Sequence, residues 1–359
     1  MAGAAGAMRG GEWIQLHWRP FAFRLPATLQ TAAGSLALRR GWLLRLETAD
    51  GAVGWGEATP LLLADAEDAA LEGCGAALEV WHGPRPRGEL EACLPHLPPP
   101  LAFAVGAALA EADGLVGPIA SGGWRPAPPS AWLLPAGAEA LTVARSLLAA
   151  RSAPPLSPEG PSAPWPLTLK WKVGVHKEEE ERAWHQELMA LLPADARLRL
   201  DANGGFDRAT AQRWADHLRG DGRLEWLEQP LDPADLPGLE ALAGRLPVAL
   251  DESLLRHPAL RDRWPGWQVR RPSQEGDPRP LLRALEAGQP RWMVSTSFET
   301  GIGQRWLAHL AALQAAGPTP VAPGLAPGWR APGALGSEDP EAVWRAAAER
   351  EAQVASRQA

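Results

Sequence analysis

The chain has 359 residues, 46% hydrophobic and 21% charged, with a formal net charge of −7 at pH 7. That length suits one large α/β barrel or two modest domains, and the acidic balance excludes a nucleic-acid surface. No run approaches the roughly 18 apolar residues of a membrane span, and the Ala/Gly-rich start, Met1 to Gly11, leads into no apolar signal core, so a soluble, cytoplasmic protein is expected.

In chain order, Glu12–Arg19, Leu36–Glu47 and Ala52–Glu57 are short alternating runs that predict strands, the last two joined by the turn signal Asp50-Gly51. Helical periodicity follows over Asp65–Trp81 and Leu101–Leu115. Cys74 and Cys93 could pair by count alone, but their sparsity fits a reducing cytosol better, and both are expected as small buried hydrophobes. A Gly/Pro/Ser-rich connector over Gly117–Pro129 marks a domain boundary. Beyond it the rhythm alternates strand and helix. Strands are predicted at Ala131–Pro135, Leu167–Val173, Arg197–Asp201, Leu224–Glu228, Val248–Asp251, Trp267–Arg271, Trp292–Thr296 and Thr319–Ala322, with helices such as Lys177–Leu192, Arg208–Leu218, Pro280–Ala287 and Gln304–Ala315 between them. That alternation is the arithmetic of a (β/α) barrel, the alternative being a doubly wound open sheet. No Gly-rich phosphate fingerprint follows any strand to favour the latter. Pro154–Pro164 is a Pro/Ser-rich insertion, expected as a mobile loop.

Residue scarcity singles out the chemistry. Only three of the 35 basic residues are lysines, and Lys170 and Lys172 stand one residue apart on a predicted strand; Asn203 is the only asparagine. Period two points both amines the same way. Lys, unlike Arg, can have its pKa drawn down until the amine is a base, and two neighbouring ammonium groups depress one another. Lys177, leading a run of four glutamates, reads as a solvated helix face. The next strands end in Asp201-Ala202-Asn203, Glu228-Gln229-Pro230 and Asp251-Glu252-Ser253. Catalytic groups of such barrels come from the C-terminal strand ends. Carboxylates at Asp201, Glu228 and Asp251 converging on one mouth need a cation between them, and an oxygen-only set calls for Mg²⁺ first and Mn²⁺ second.

A Lys-x-Lys strand followed by Asp, Glu and Asp on successive strands resembles the enolase superfamily and, within it, the o-succinylbenzoate synthases. Gly54 to Leu61, Asp201 to Gly204 and Ser295 to Gly303 support the resemblance, which spans roughly residues 12 to 330. It implies an α/β fold in which an N-terminal α+β capping domain (1–125, with a contribution from 326–359) covers a (β/α)₇β TIM-type barrel (126–325). Loops near Phe21–Thr31 and Gly54–Glu57 would close on the substrate. It implies a lyase that dehydrates 2-succinyl-6-hydroxy-2,4-cyclohexadiene-1-carboxylate to 2-succinylbenzoate on the way to menaquinone or phylloquinone. The partner would be a small-molecule carboxylate, and a monomer would suffice. Lys172 would be the base, with Lys170 tuning it and holding the substrate carboxylate. Asn203 and Glu252 would orient ligands. Ser295, Thr296 and Gly301, the last opening a helix whose N-terminus suits an anion, would meet the succinyl carboxylate.

One position departs from the pattern. The superfamily carries a further lysine before a proline on strand six; here Gln268-Val269-Arg270-Arg271-Pro272 puts Arg271 in its place, with Arg270 as the alternative register. The related N-succinylamino acid racemases and dipeptide epimerases need a base on each substrate face, which a guanidinium cannot be. A one-base elimination tolerates Arg. A non-catalytic carboxylate-binding barrel is the third reading. His176 and His185 lack a metal-ligand spacing and read as surface residues, and the 18 tryptophans as core and interface residues.

Overall fold

Alternating apolar residues from Ile14 onward lay down the first layer of the computed structural model, which describes residues 13–32, 34–61, 65–118, 123–152 and 165–348. Strand β1 (Trp13–Thr31) pairs antiparallel with β2 (Gly34–Thr48), and β2 with β3 (Val53–Ala58). The segment Phe21–Thr31, expected as a loop, is therefore strand. Phe21, Phe23, Leu25 and Leu29 are buried on one face while β2 supplies backbone partners, with a register shift between Arg24 and Leu29. Gly54–Glu57 is strand as the alternation over Ala52–Glu57 predicts, and not the loop that the resemblance implies.

Helix α1 (Asp65–Leu78), the short β4 (Pro84–Pro86) and α2 (Arg87–Cys93) lead to α3 (Pro99–Ala112). The antiparallel sheet has the order β3-β2-β1-β4. Helix α3 is apolar on every face but for Glu111, which pairs with Arg305, as suits a helix buried on nearly every side. Its Leu101, Val105 and Leu109 pack under the front sheet, and its Phe103, Ala107 and Ala110 pack against Trp306 and Leu310 of the second layer. Contact with β3 is close enough that a Cβ on Gly54 or Gly56 would stand 1.8 or 2.0 Å from the Ala108 or Ala104 carbonyl oxygen. Cys74 is buried, Cys93 only partly, and both are free thiols.

The second layer alternates as expected: β5 (Trp132–Leu134), α4 (Glu139–Ser152), β6 (Thr168–Lys172), α5 (Glu178–Leu191), β7 (Arg197–Asp201), α6 (Arg208–Leu218), β8 (Leu224–Glu228), α7 (Leu236–Ala243) and β9 (Val248–Leu250). Two short helices, α8 (Glu252–Arg256) and α9 (Leu260–Arg263), precede β10 (Trp267–Arg270), α10 (Arg279–Glu286), β11 (Trp292–Val294) and α11 (Gly301–Ala316). The seven strands form one parallel sheet in chain order, β5 to β11. The insertion Pro154–Pro164 lies outside the described residues.

The predicted eighth strand, Thr319–Ala322, does not form. Pro318, Pro320 and Pro323 remove the N–H groups that a ladder would use. The stretch still spans the gap between the sheet edges. Ala131 N–H donates to the Pro323 carbonyl (2.9 Å), and Gly324 N–H to that of Val294 (2.8 Å).

Alternation along the strands divides the core. Leu169, Trp171, Leu198, Leu200, Leu227 and Leu250 face the helices. Trp226, Ala249, Val269 and Met293 fill the concave side, where the buried Arg199 guanidinium stacks 4.2 Å from the Trp226 ring. That parity sends Lys170, Lys172, Asp201, Glu228, Asp251, Arg271 and Ser295 to the concave mouth. His185, expected at the surface, is buried instead, its Nδ1 3.0 Å from His217 Nε2 and its ring edge-on to Trp214. The C-terminal helix α12 (340–348) brings Val343 and Trp344 against Phe21, Phe23 and Trp55 of the front sheet.

Candidate active site

The C-terminal strand ends open into a cavity of about 490 Å³. Its polar floor carries Lys170, Lys172, Asn203, Asp251, Glu252, Arg271, Ser295 and Thr296. Leu29, Leu36 and Leu61 from the front unit, with Leu133 and Phe298, form an apolar wall. Leu29 falls in the segment Phe21–Thr31 expected beside the substrate, and Leu61 and Phe298 in segments that carry the resemblance, whereas Leu36 and Leu133 are revealed only by the packing of the two layers.

Floor charges are paired. Lys170 Nζ donates to Glu228 Oε1 (2.6 Å) and lies 2.8 Å from Asp201 Oδ2. Lys172 Nζ donates to the same Asp201 oxygen (2.7 Å) and to Asn203 Oδ1 (2.8 Å). Asn203 Nδ2 donates in turn to Glu252 Oε1 (2.9 Å), so Glu252 holds the amide with its oxygen towards Lys172. Arg271 grips Asp251 with Nε (2.7 Å) and Nη2 (2.5 Å), and its Nη1 donates to the Thr296 carbonyl (2.5 Å). Arg270 points away, stacked on Trp292 and paired with Glu275, so Arg271 is the cavity residue. All three carboxylates, Asp201, Glu228 and Asp251, are buried.

Burial favours the neutral form of every group here, and the neighbouring charges decide the outcome. Burial pulls the Lys170 ammonium down, but Asp201 and Glu228 outweigh it and hold the pKa above the ordinary lysine value. The mutual depression expected of the lysine pair is overridden at Lys170. Asp201 is held low against burial by Lys170 and Lys172. Glu228 is pushed up to about 7 by burial, against Lys170. Glu252 is pushed up to about 8 by burial and by Asp251 and Asp201. Its Oε2 is buried with no hydrogen-bond partner.

Gly301, expected to meet substrate, lies outside this cavity: a Cβ there would stand 1.7 Å from the Ser337 carbonyl oxygen. The helix N-terminus it opens is already occupied by a carboxyl group. Glu57, buried on β3, accepts from the N–H groups of Thr300 (2.9 Å) and Gly303 (3.0 Å) and from the hydroxyls of Thr300 and Thr59 (both 2.5 Å). Two further anchors carry no motif of their own. Glu181 accepts the N–H groups of Gly174, Val175 and His176, tying down the loop after Lys172. Gln229 Oε1 accepts those of Asp251 and Ser253. Asn203, Gln229 and Phe298 sit at φ +44°, +36° and +62°, and such backbone strain gathers at functional sites.

Residues 167–262 match the family described as Enolase C-terminal domain-like. The chain is 34% identical over 313 residues to an o-succinylbenzoate synthase of Thermosynechococcus vestitus, covering 83% of this chain and 88% of that protein. It belongs to the o-succinylbenzoate synthase family. The crystal structure of o-succinylbenzoate synthase from Thermosynechococcus elongatus BP-1, complexed with Mg in the active site, superposes with a TM-score of 0.71 at 32% identity, covering 92% of this chain and 99% of that one. The L-Ala-D/L-Glu epimerase of Bacillus subtilis shares the fold, with a TM-score of 0.65 at 22% identity over 84% of this chain and 87% of that one. Synthase-family membership and the α/β architecture thus agree. No helix among the described residues is long and apolar enough to cross a membrane.

Proposed function

We propose that this enzyme, a lyase of the o-succinylbenzoate synthase family, dehydrates 2-succinyl-6-hydroxy-2,4-cyclohexadiene-1-carboxylate to 2-succinylbenzoate, feeding menaquinone or phylloquinone synthesis in the cytoplasm. The carrying observation is the pair of Lys170 and Lys172 amines aimed at one cavity whose remaining floor cation is an arginine. In this reading residues 126–325 are a (β/α)₇β barrel, capped by 1–125 with help from 326–359, and the chain works as a monomer.

Lys172 takes the proton from the ring carbon α to the carboxylate. The C–O bond to the ring hydroxyl then breaks, and the Lys172 ammonium returns the same proton to the departing hydroxide, leaving water and an aromatic ring. Asn203, fixed by Glu252, and Asp201 hold the Lys172 amine at its post. Lys170 receives the substrate carboxylate. Arg271 stays protonated at any working pH and so supplies positive charge but no second base, which sets the chain apart from racemases and epimerases.

Among the described residues no three His, Cys, Asp or Glu side chains stand together as a finished metal cage. The donor chemistry nonetheless fits a hard divalent ion. Four carboxylates, counting Glu252, face three cations, Lys170, Lys172 and Arg271, and Glu252 Oε2 has no partner. Asp201, Glu228 and Asp251 would hold Mg²⁺, or Mn²⁺ in its place, in competition with their present ion pairs. When bound, the ion would offset charge that develops on the substrate carboxylate oxygens.

Loss of the cyclohexadiene absorbance is the test. The protein with Mg²⁺ should turn the substrate over, chelator should stop it, and Lys172→Ala should lose about 10³-fold or more in kcat. A folded, Mg²⁺-supplied protein without turnover would refute the assignment. Solvent deuterium entering both enantiomers of an N-succinylamino acid would favour the racemase instead.

A further inference from the structure

The substrate class of that reaction, on which the following inference rests, carries two carboxylates; the floor cations serve one, and Ser295 and Thr296, which the resemblance sets against the succinyl carboxylate, bring no charge to the other. Lys170 and Lys172 are buried, Arg271 is partly buried, and all three are already engaged by Asp201, Glu228 and Asp251. A second carboxylate, at the end of a four-carbon acyl tail, needs a partner of its own. Against the leucine wall it would lose its hydration with no partner, which is costly for an ionised group.

One further cation lines the cavity. Arg256 is the last residue of α8, the short helix that leaves β9 directly after Asp251, and its side chain is 57% exposed. Among the described residues its recorded carboxylate neighbour is Asp232, itself 68% exposed, at 3.6 Å from Nη1. That distance is too long for a hydrogen bond, and an exposed pair of this kind contributes about 0–1 kcal/mol. The guanidinium can therefore turn to an incoming anion at little cost. Leu255 and Pro233 line the same cavity, and among the described residues Arg256 is the one lining cation other than Lys170, Lys172 and Arg271.

We infer that Arg256 is a specificity-determining residue that receives the distal carboxylate of the acyl tail, so that the cavity selects dicarboxylates with one acid at the floor and one at the rim. A planar two-pronged donor suits a carboxylate better than an ammonium does. Arg256 takes no part in proton transfer; its interaction is the same in ground state and transition state, and so belongs to KM rather than kcat.

The experiment pairs Arg256→Gln and Arg256→Lys with two substrates: the dicarboxylate and an analogue whose acyl tail ends in methyl. For the dicarboxylate, Arg256→Gln should raise KM roughly tenfold and leave kcat within about twofold, a rim-exposed charged hydrogen bond being worth that much. Arg256→Lys should recover part of the loss. The methyl-ended analogue should not distinguish the variants from the parent. Calorimetric binding of 2-succinylbenzoate to parent and Arg256→Gln reads the same contact without turnover. An inactive parent that still binds 2-succinylbenzoate about tenfold more tightly than the variant would sink the dehydration but keep the carboxylate contact. An unchanged KM and affinity in Arg256→Gln would overturn the inference. So would an equal loss for the methyl-ended analogue.

Discussion

Replacing Glu57 tests how the front sheet is fastened to the catalytic layer. Its carboxylate joins β3 to the first turn of α11, so each donor it satisfies there belongs to the loop and helix that follow Ser295 and Thr296. Burial pushes its pKa upward and Glu299 adds to this, while the Thr300 and Thr59 bonds oppose. Both oxygens nevertheless accept from backbone N–H, Oε1 from Thr300 (2.9 Å) and Oε2 from Thr300 and Gly303 (both 3.0 Å), which is the pattern of an anion at a helix N-terminus. In Glu57→Gln the amide oxygen can still face α11, and the Thr59 hydroxyl can turn to accept from the new NH₂. What is lost is the charge, so the cost should be that of charge-assisted bonds made neutral, about 2–3 kcal/mol. Glu57→Ala strands the N–H groups of Thr300 and Gly303 and opens a void, for about 4–5 kcal/mol. Urea unfolding followed by tryptophan fluorescence measures both, and the midpoint should fall in the order parent, Gln, Ala. A Gln variant with the parent's midpoint would mean that the native carboxyl is neutral, and the anion-anchor reasoning would fail.

Three further outcomes follow from the geometry. Gly56→Ala drives a Cβ to 2.0 Å from the Ala104 carbonyl oxygen, a backbone atom of α3, and should lower stability by about 2–3 kcal/mol in the same unfolding assay. His185 is pushed down to about 4 by burial first and then by His217. The folded state thus binds fewer protons than the unfolded one, and this contribution is complete above a pH of about 6.5 and lost as pH falls towards 4, at ~3 kcal/mol or less. Urea midpoints for the parent should fall across that window, and His185→Phe should flatten the fall. Arg271→Ala leaves Asp251 buried without its two-pronged partner, so both stability and turnover should drop, by about 3 kcal/mol in the unfolding assay. A stable, active Arg271→Ala protein would show that Arg271 is dispensable to the floor.

Much of the cavity floor was legible because its signals are local. Period two on Thr168–Lys172 is enough to aim both lysines to one side, and the strand–helix rhythm brings Asp201, Glu228 and Asp251 to successive strand ends. Strands Arg197–Asp201 and Leu224–Glu228 and helix Arg208–Leu218 form with the predicted bounds. The choice between Arg270 and Arg271 needed the parity of the whole strand, set by Val269 packing among Trp226, Ala249 and Met293. The eighth strand failed on prolines that were visible but whose weight depended on which N–H groups the neighbours required.

The sequence by itself determined the kind of chemistry: scarce lysines in a fixed period, acids one strand–helix unit apart, and an arginine where a second base would stand. Tertiary structure alone decided what those groups meet. Contacts across long chain separations, such as Glu57 to Gly303 or Arg271 to the Thr296 carbonyl, depend on how layers pack, and no local periodicity encodes them. For the same reason the leucine wall, the orphaned Glu252 oxygen and the available Arg256 guanidinium emerge only once both layers close around one cavity.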